Sequence, residues 1–582
     1  MSKRWVRIAC RFAPLLLMAI AGCASAMQPS REPLGTPALL KEHCDLIGEP
    51  RVERISDHVW AAVGYDLANE ILIHTPEGHV IVDPLMSPGR GEAARRDLLA
   101  RAPDVPVAAI IYTHSHIDHI GGASLWADQN PRIWATDRFI DHLYKQYQVF
   151  LPAETIRGRR QFGVHASLAD LPCSGIGRRP DIPAAQGGAG IRLPTQTFSG
   201  SKTLTFGEMT IEMIEAPGET HDQLIVWIPG DRTVIAADNF YWAFPNLYTI
   251  RGTSPRPVDD WIRSIDRIRG LRPEHLVPGH TVPVHGEEKI NAILTDYRDA
   301  IQWIRDEVIR GANKGYDLDT IAGSIKLPPH LQGLHYTQEF YGQIDWSAKG
   351  IYTGSLGWFD GRPDKLYPMN VREASAREIA LMGGPAKVIK MADEALQVND
   401  CRWAIHLLVK LADSGMAPSD RSFNEKLAHA YEKLAATLHN LNGRGYLLEA
   451  AYEIRHGIEK PPPARPAETL VSHIPLEAIF AIMATRLVAE KAMDVHETVH
   501  FLFPDEKRRF IVTVRRGIVE AVEGEPLPGT PEPLATITTD SMTYRKMAAK
   551  TMSPLQALAS GKITVQGSWI GFLRWNGRFD FD

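Results

Sequence analysis

Between residues 50 and 115, short apolar runs alternate with turn signals. His58-Val59-Trp60-Ala61-Ala62-Val63, Glu70-Ile71-Leu72-Ile73-His74 and His79-Val80-Ile81-Val82-Asp83 read as β-strands separated by glycine and proline breaks. A helical stretch near 91–101 leads to another buried-type strand, Val107-Ala108-Ala109-Ile110-Ile111-Tyr112. A second strand series follows around 203–237, and 257–269 has helical spacing. Strands, a helix and strands again are the layout of an α/β sandwich, with two sheets inside and helices outside. The Gly- and Pro-rich region 148–202 is expected to be a long irregular insertion that helps wall a substrate pocket.

From about residue 373 the pattern changes. Pro385–Asn399, Cys401–Ala412, Ser422–Leu438 and Gly445–Gly457 carry apolar residues at helical spacing, as stacked helical hairpins would. Pro385 suits a first helical position, where its missing amide donor costs nothing. Pro461-Pro462-Pro463-Ala464-Arg465-Pro466 reads as a stiff, extended linker and the clearest boundary in the chain. Beyond it lies a small α+β unit. A helix near 475–490 precedes strands at Thr498–Phe503, Phe510–Val514 and Ala535–Asp540, then a helix and a last strand at Lys562–Gly567.

Composition adds limits. With 44% hydrophobic and 23% charged residues the chain is globular rather than disordered, and its 582 residues suit several domains. A net charge of −5 gives no basic face for a nucleic acid. The first 26 residues are set aside as an export signal. Lys3, Arg4, Arg7 and Arg11 precede the apolar stretch Phe12–Ala21 and the small residues Gly22-Cys23-Ala24-Ser25-Ala26. Ala19-Ile20-Ala21-Gly22-Cys23 resembles a lipobox, which makes Cys23 the lipidated first residue of a periplasmic or outer-membrane lipoprotein. Plain cleavage after Ala26, giving a secreted protein, is the alternative. Contact with a membrane is expected only through that lipid. Cys44, Cys173 and Cys401 are an odd number without close spacing, so they read as buried small side chains, with a Cys44–Cys173 pair left open.

The chemistry concentrates in Thr113-His114-Ser115-His116-Ile117-Asp118-His119-Ile120-Gly121-Gly122, directly after a buried strand. On an extended loop His114 and His116 share a face, and Asp118 and His119 turn with the chain toward a second ion. Imidazole nitrogen and carboxylate oxygen suit Zn²⁺, and the glycines are expected to let the backbone turn tightly near the metals. Such a set on a turn exceeds what surface polarity alone produces.

HxHxDH followed by two glycines resembles the metallo-β-lactamase superfamily, which holds two metals between two β-sheets. Three further ligand positions can be matched in this sequence: Pro217-Gly218-Glu219-Thr220, Ala236-Ala237-Asp238-Asn239 and Leu276-Val277-Pro278-Gly279-His280. Glu219 stands where histidine is usual, and an acidic ligand there is similar to the alkyl sulfatases; His221 is the nearest alternative ligand. Asn246-Leu247-Tyr248-Thr249-Ile250-Arg251-Gly252 resembles the alkyl sulfatase segment whose Asn and Arg hold the sulfate. Ile325–Leu331, Phe340-Tyr341-Gly342-Gln343, Lys349-Gly350-Ile351-Tyr352 and Leu356–Gly361 extend the resemblance. One departure is Trp346-Ser347, where the alkyl sulfatases carry a His-Asn pair.

The resemblance implies a catalytic metallo-β-lactamase-like αββα sandwich at 45–315, a helical dimerisation domain at 316–460 and a sterol-carrier-like domain at 467–582. It also implies two Zn²⁺ per chain. His114, His116 and Glu219 would hold one, Asp118, His119 and His280 the other, with Asp238 bridging. Asp118, Asn246 and Arg251 form the expected catalytic set, and Asp83 a candidate anchor for a ligand histidine. The implied reaction is hydrolysis of alkyl sulfate esters of the dodecyl sulfate type by a metal-bound hydroxide, in a homodimer formed through the helical domain. Two other readings are weighed beside it. The same scaffold could cleave a phosphodiester, lactone or β-lactam, because fold alone does not choose the reaction. A non-catalytic lipid-binding protein with a vestigial site is the other.

Overall fold

The computed structural model describes residues 34–146, 150–180, 190–459 and 471–580. The export signal at 1–26 and the proline-rich linker at 461–466 lie outside these residues.

One sheet contains Arg51–Arg54 (β1), Val59–Val63 (β2), Glu70–Thr75 (β3), Gly78–Val82 (β4), Val107–Ile111 (β5), Arg132–Thr136 (β6) and Gln196–Phe198 (β7), side by side in that order. Its first three pairings are antiparallel and its last three parallel. The second sheet contains Ser201–Phe206 (β8), Met209–Glu215 (β9), Leu224–Ile228 (β10), Thr233–Ala237 (β11), His275–Pro278 (β12) and Val284–His285 (β13), again in chain order. Only its β11–β12 pairing is parallel, and the helix Val258–Gly270 lies between those strands in the chain.

Strand alternation builds the layers. Ile71, Ile73, Val80, Val82 and Ile111 face Met213, Val226, Ile228, Ile235 and Val277 in the core between the sheets. The intervening Leu72, Ile81 and Ile110 point outward and pack with Leu98 of the helix Pro88–Leu99. On the second sheet, Ile225 and Trp227 face outward against Trp261, Ile265 and Ile268 of Val258–Gly270. Strands covered on both faces must be apolar throughout, which explains runs such as Val107–Ile111. Each such buried aliphatic side chain contributes about 1.5–3 kcal/mol.

Helical hairpins follow the sandwich. Pro385–Gln397, Cys401–Asp413, Arg421–Thr437 and Leu441–His456 match the expected stripes, and Glu287–Asn313, Leu318–Ser324, Ile344–Leu356 and Val371–Leu381 precede them. The last unit is α+β. Its sheet orders Ile518–Glu523 (β16), Arg508–Arg515 (β15), His496–Phe503 (β14), Pro533–Thr539 (β17) and Ile563–Gly567 (β18) side by side. β16 and the closing helix Trp569–Asn576 were not anticipated from the pattern.

Two expectations need correction. The insertion at 148–202 is not irregular throughout, because Leu151–Phe162 is a helix with Pro152 in its first turn. Cys44 and Cys173 form a disulfide, with Cα atoms 5.7 Å apart, rather than two separate thiols; among the described residues Cys401 is the one free cysteine, and it is buried. The bridge ties the N-terminal helix Ala38–Ile47 to the insertion.

Candidate metal centre

The sandwich delivers the predicted ligands to one edge, because each lies just past the C-terminal end of a strand. Asp83 follows β4, the 114–119 segment follows β5, Glu219 follows β9, Asp238 follows β11 and His280 follows β12. Backbone strain gathers at the same places: Asp83, Ala237 and Thr281 have φ of 57°, 50° and 68°. For non-glycine residues each such conformation costs on the order of 1–3 kcal/mol, sustained here by the packed sheets.

Two groups of ligand atoms result, each gathered within 4.8 Å: His114, His116 and Asp238 in one, Asp118, His119 and His280 in the other. In the first, His114 Nε2 and His116 Nδ1 face each other at 2.9 Å. In the second, His119 Nε2 lies 3.5 Å and His280 Nε2 3.6 Å from Asp118 Oδ2. Asp238 stands between them. Its Oδ2 is 3.7 Å from His114 Nε2 and 3.2 Å from His280 Nε2, and its Oδ1 is 3.5 Å from His119 Nε2.

Residues behind the ligands fix which nitrogen faces inward. His119 Nδ1 meets Asp83 Oδ2 at 2.8 Å, and that carboxylate also accepts from the Thr113 amide and hydroxyl. His280 Nδ1 meets the Leu67 carbonyl at 2.8 Å. Asn69 donates to the Pro278 and Thr281 carbonyls and so holds the loop that carries His280. Engaging one ring nitrogen leaves the other for a metal. Gly121 and Gly122 act through space, not through an unusual backbone, since their φ values are −70° and −94°. A Cβ at either would sit within 2.0 Å of the Met86 or Pro84 carbonyl oxygen.

The electrostatics differ between the groups. Burial, with neighbouring histidines and arginines, holds His114 and His116 well below the usual imidazole range, so both rings are neutral and ready to donate lone pairs. For His119, burial would also lower the pKa, but Asp238, Asp118 and Asp83 outweigh it and raise it to about 10. Burial would raise Asp238, yet His280, His119 and His114 hold it well below the carboxylate range. His119 Nε2, Asp238 Oδ1 and Glu219 Oε2 are buried without a hydrogen-bond partner among the described residues. Unpartnered imidazole nitrogen and carboxylate oxygens, converging on one volume, fit a pair of cations, whose binding would displace the His119 proton.

Glu219 falls outside the two three-atom groups. Its Oε1 pairs with Arg256 Nη1 at 2.6 Å, and burial raises its pKa against that guanidinium. His221 is further removed, half-buried and stacked on His142 with ring centroids 5.4 Å apart. Arg251 reaches the first group, its Nη2 lying 3.3 Å from His116 Nε2. It is held by Glu154 at 3.2 Å, by Thr249, and through its amide by Gln161. Asn246 is buried, with its amide bonded to the Tyr241 hydroxyl and its Nδ2 without a partner among the described residues. Trp346 packs over Gly443, where an added Cβ would meet its ring at 3.2 Å. Arg256, Glu154 and Gln161 escaped the sequence reading. Arg256 follows Arg251 by five positions, and nothing in its neighbours distinguishes it from a surface cation.

The fold is that of the metallo-β-lactamase superfamily, and residues 63–280 match that family. Residues 317–457 match the alkyl sulfatase dimerisation family and 466–581 the alkyl sulfatase C-terminal family. A linear primary-alkylsulfatase of Pseudomonas sp. (strain ATCC 19151) is 31% identical over 88% of this chain and 98% of its own length. A second linear primary-alkylsulfatase, of Pseudomonas sp., is 27% identical over 91% of this chain and 79% of its own. The solved structure of the stereoselective inverting sec-alkylsulfatase Pisa1 from Pseudomonas sp. superposes with a TM-score of 0.83 at 25% identity, covering 94% of this chain and 87% of that one. The chain therefore belongs to the alkyl sulfatase family of the metallo-β-lactamase superfamily. It is an alkylsulfatase, a hydrolase of sulfuric ester bonds.

Proposed function

We propose that the protein uses two zinc ions to hydrolyse primary alkyl sulfates to an alcohol and inorganic sulfate. His114, His116 and Glu219 would hold one ion, Asp118, His119 and His280 the other, with Asp238 between them. Such a pair supplies a water whose pKa falls to about 7 and a Lewis acid for the ester. The chain's own residues do the rest. Arg251 presents a planar fork of donors to the sulfate oxygens, and its grip by Glu154, Thr249 and Gln161 fixes the direction of that fork. Asn246 Nδ2 is a buried donor awaiting an acceptor, which a sulfate oxygen provides. The observation that carries the reading is the bridging position of Asp238 with Arg251 alongside.

The test is metal analysis followed by sulfate release from dodecyl sulfate, with bis-nitrophenyl phosphate and nitrocefin as controls. Close to two zinc ions per chain and release from dodecyl sulfate alone are expected. Turnover of a control with no sulfate from any alkyl ester refutes the reading.

The same proposal places the protein outside the cytoplasm as a homodimer anchored through Cys23. The Cys44–Cys173 bridge supports export, since disulfides persist in oxidising compartments. Among the described residues no helix is long and apolar enough to cross a membrane, so anchoring rests on the lipobox-like segment. The match of residues 317–457 to the alkyl sulfatase dimerisation family supports a homodimer through the helical region. A Cys23→Ser variant should leave the membrane fraction, and light scattering should give twice the chain mass.

A further inference from the structure

A cavity of about 240 Å³ opens beside Glu219, Arg251 and Arg256. We propose that it takes a sulfate ester whose alcohol part carries a second oxyanion, a carboxylate above all, held by Lys145 and Arg157. This rests on the sulfatase reading of the metal centre and names the substrate class within it.

The lining is mixed: among the described residues Phe150, Ala153 and Pro255 offer apolar contact for a carbon chain, and Lys145 and Arg157 stand beside them.

Charge is the deciding point. The inner cations are already matched, Arg251 with Glu154 at 3.2 Å and Arg256 with Glu219 at 2.6 Å. The outer cations are not: among the described residues neither Lys145 nor Arg157 has a carboxylate within 4.0 Å. Arg157 donates to the Ile250 carbonyl and meets Glu154, the partner of Arg251, only at longer range. Arg256 adds a guanidinium only 8% exposed, whose Nε and Nη2 have no hydrogen-bond partner among the described residues. A buried donor without an acceptor is costly unless a ligand supplies one. Together these groups offer more positive charge and more donors than one sulfate monoester can use, and the surplus lies on the outer side.

The experiment compares butyl sulfate, its ω-carboxylated analogue 4-(sulfooxy)butanoate and dodecyl sulfate on the metal-loaded full chain, with sulfate measured by ion chromatography. The carboxylated ester should exceed butyl sulfate in kcat/KM by about tenfold at low salt, as two partly exposed ion pairs allow. The advantage should shrink at high salt, and the ratio should fall toward one in Lys145→Gln. Calorimetry with the unreactive sulfonates, butanesulfonate against 4-sulfobutanoate, reads the same preference without turnover. Equal or better use of butyl sulfate overturns the proposal and leaves the sulfatase reading intact. No sulfate from any ester overturns both.

Discussion

Replacing Asp83 by Asn tests whether the residue behind a ligand governs metal binding. The Asp83 carboxylate receives His119 Nδ1 at 2.8 Å, the Thr113 amide at 2.8 Å and the Thr113 hydroxyl at 2.7 Å, all in a fully buried setting. Asparagine keeps an oxygen for the Thr113 amide, so the turn after β4 should survive. Its NH₂ then faces the Nδ1 proton of His119, donor against donor. Either the hydrogen bond is lost, or the proton moves to the nitrogen that must face the metal. A charge-assisted hydrogen bond of this kind contributes about 1.5–3 kcal/mol. That agrees with the 10–100-fold loss of affinity typical when such partners are removed. Metal-stripped protein titrated with zinc against a chromophoric chelator should show one site weakened by about 10–100-fold and the other moved much less. Unchanged affinity at both sites, with the fold intact by thermal melting, refutes the reasoning.

Glu70→Gln should stabilise the protein at neutral pH. Burial raises the Glu70 pKa from 4.5 to about 8, so stability is complete below about pH 4.5 and declines as pH rises toward 8; removing that cost at pH 7 gains on the order of 3 kcal/mol. The gain in melting temperature should vanish near pH 4.5, and an equal gain at both pH values contradicts it. Gly445→Ala places a Cβ 2.6 Å from the Gln161 carbonyl oxygen, an overpacking cost of about 1–3 kcal/mol that shifts Leu151–Phe162 and with it the Glu154 and Gln161 grip on Arg251. KM for the sulfate ester should rise at constant zinc content; lost zinc with unchanged KM points elsewhere. Reducing the Cys44–Cys173 bridge, 129 residues apart in sequence, should cost about 4–5 kcal/mol and lower the melting temperature. An unchanged midpoint with both thiols titrating as free refutes that.

The sandwich was legible because its strands are covered on both faces and must be apolar in a continuous run, as in Val107–Ile111. The histidine cluster was legible because ligand chemistry admits few residue types at fixed spacing. Leu151–Phe162 was not, for a physical reason. Its buried positions are Gly158, Arg159 and Gln161, so the face turned inward is polar and leaves no apolar stripe to read. The disulfide was left open because its cysteines come together only through the packing of Ala38–Ile47 on the insertion. Gly121 and Gly122 were noticed for the wrong property: the constraint is the 84–86 backbone pressed against them, which no local pattern encodes.

Glu219 and Arg256 explain each other. The Glu219 carboxylate adds a negative charge to a buried centre that already holds Asp118 and Asp238. Unopposed, three carboxylates in that volume would repel, and burial alone raises the Glu219 pKa. Arg256 answers this from 2.6 Å, and a guanidinium suits the task because it stays charged when buried. It binds Oε1 and leaves Oε2 without a partner, so the ion pair does not compete with a metal for the free oxygen. It orients that oxygen instead. Glu219 and Arg256, 37 positions apart in the chain, thus act as one unit: the guanidinium offsets the carboxylate's charge and sets the direction of its free oxygen.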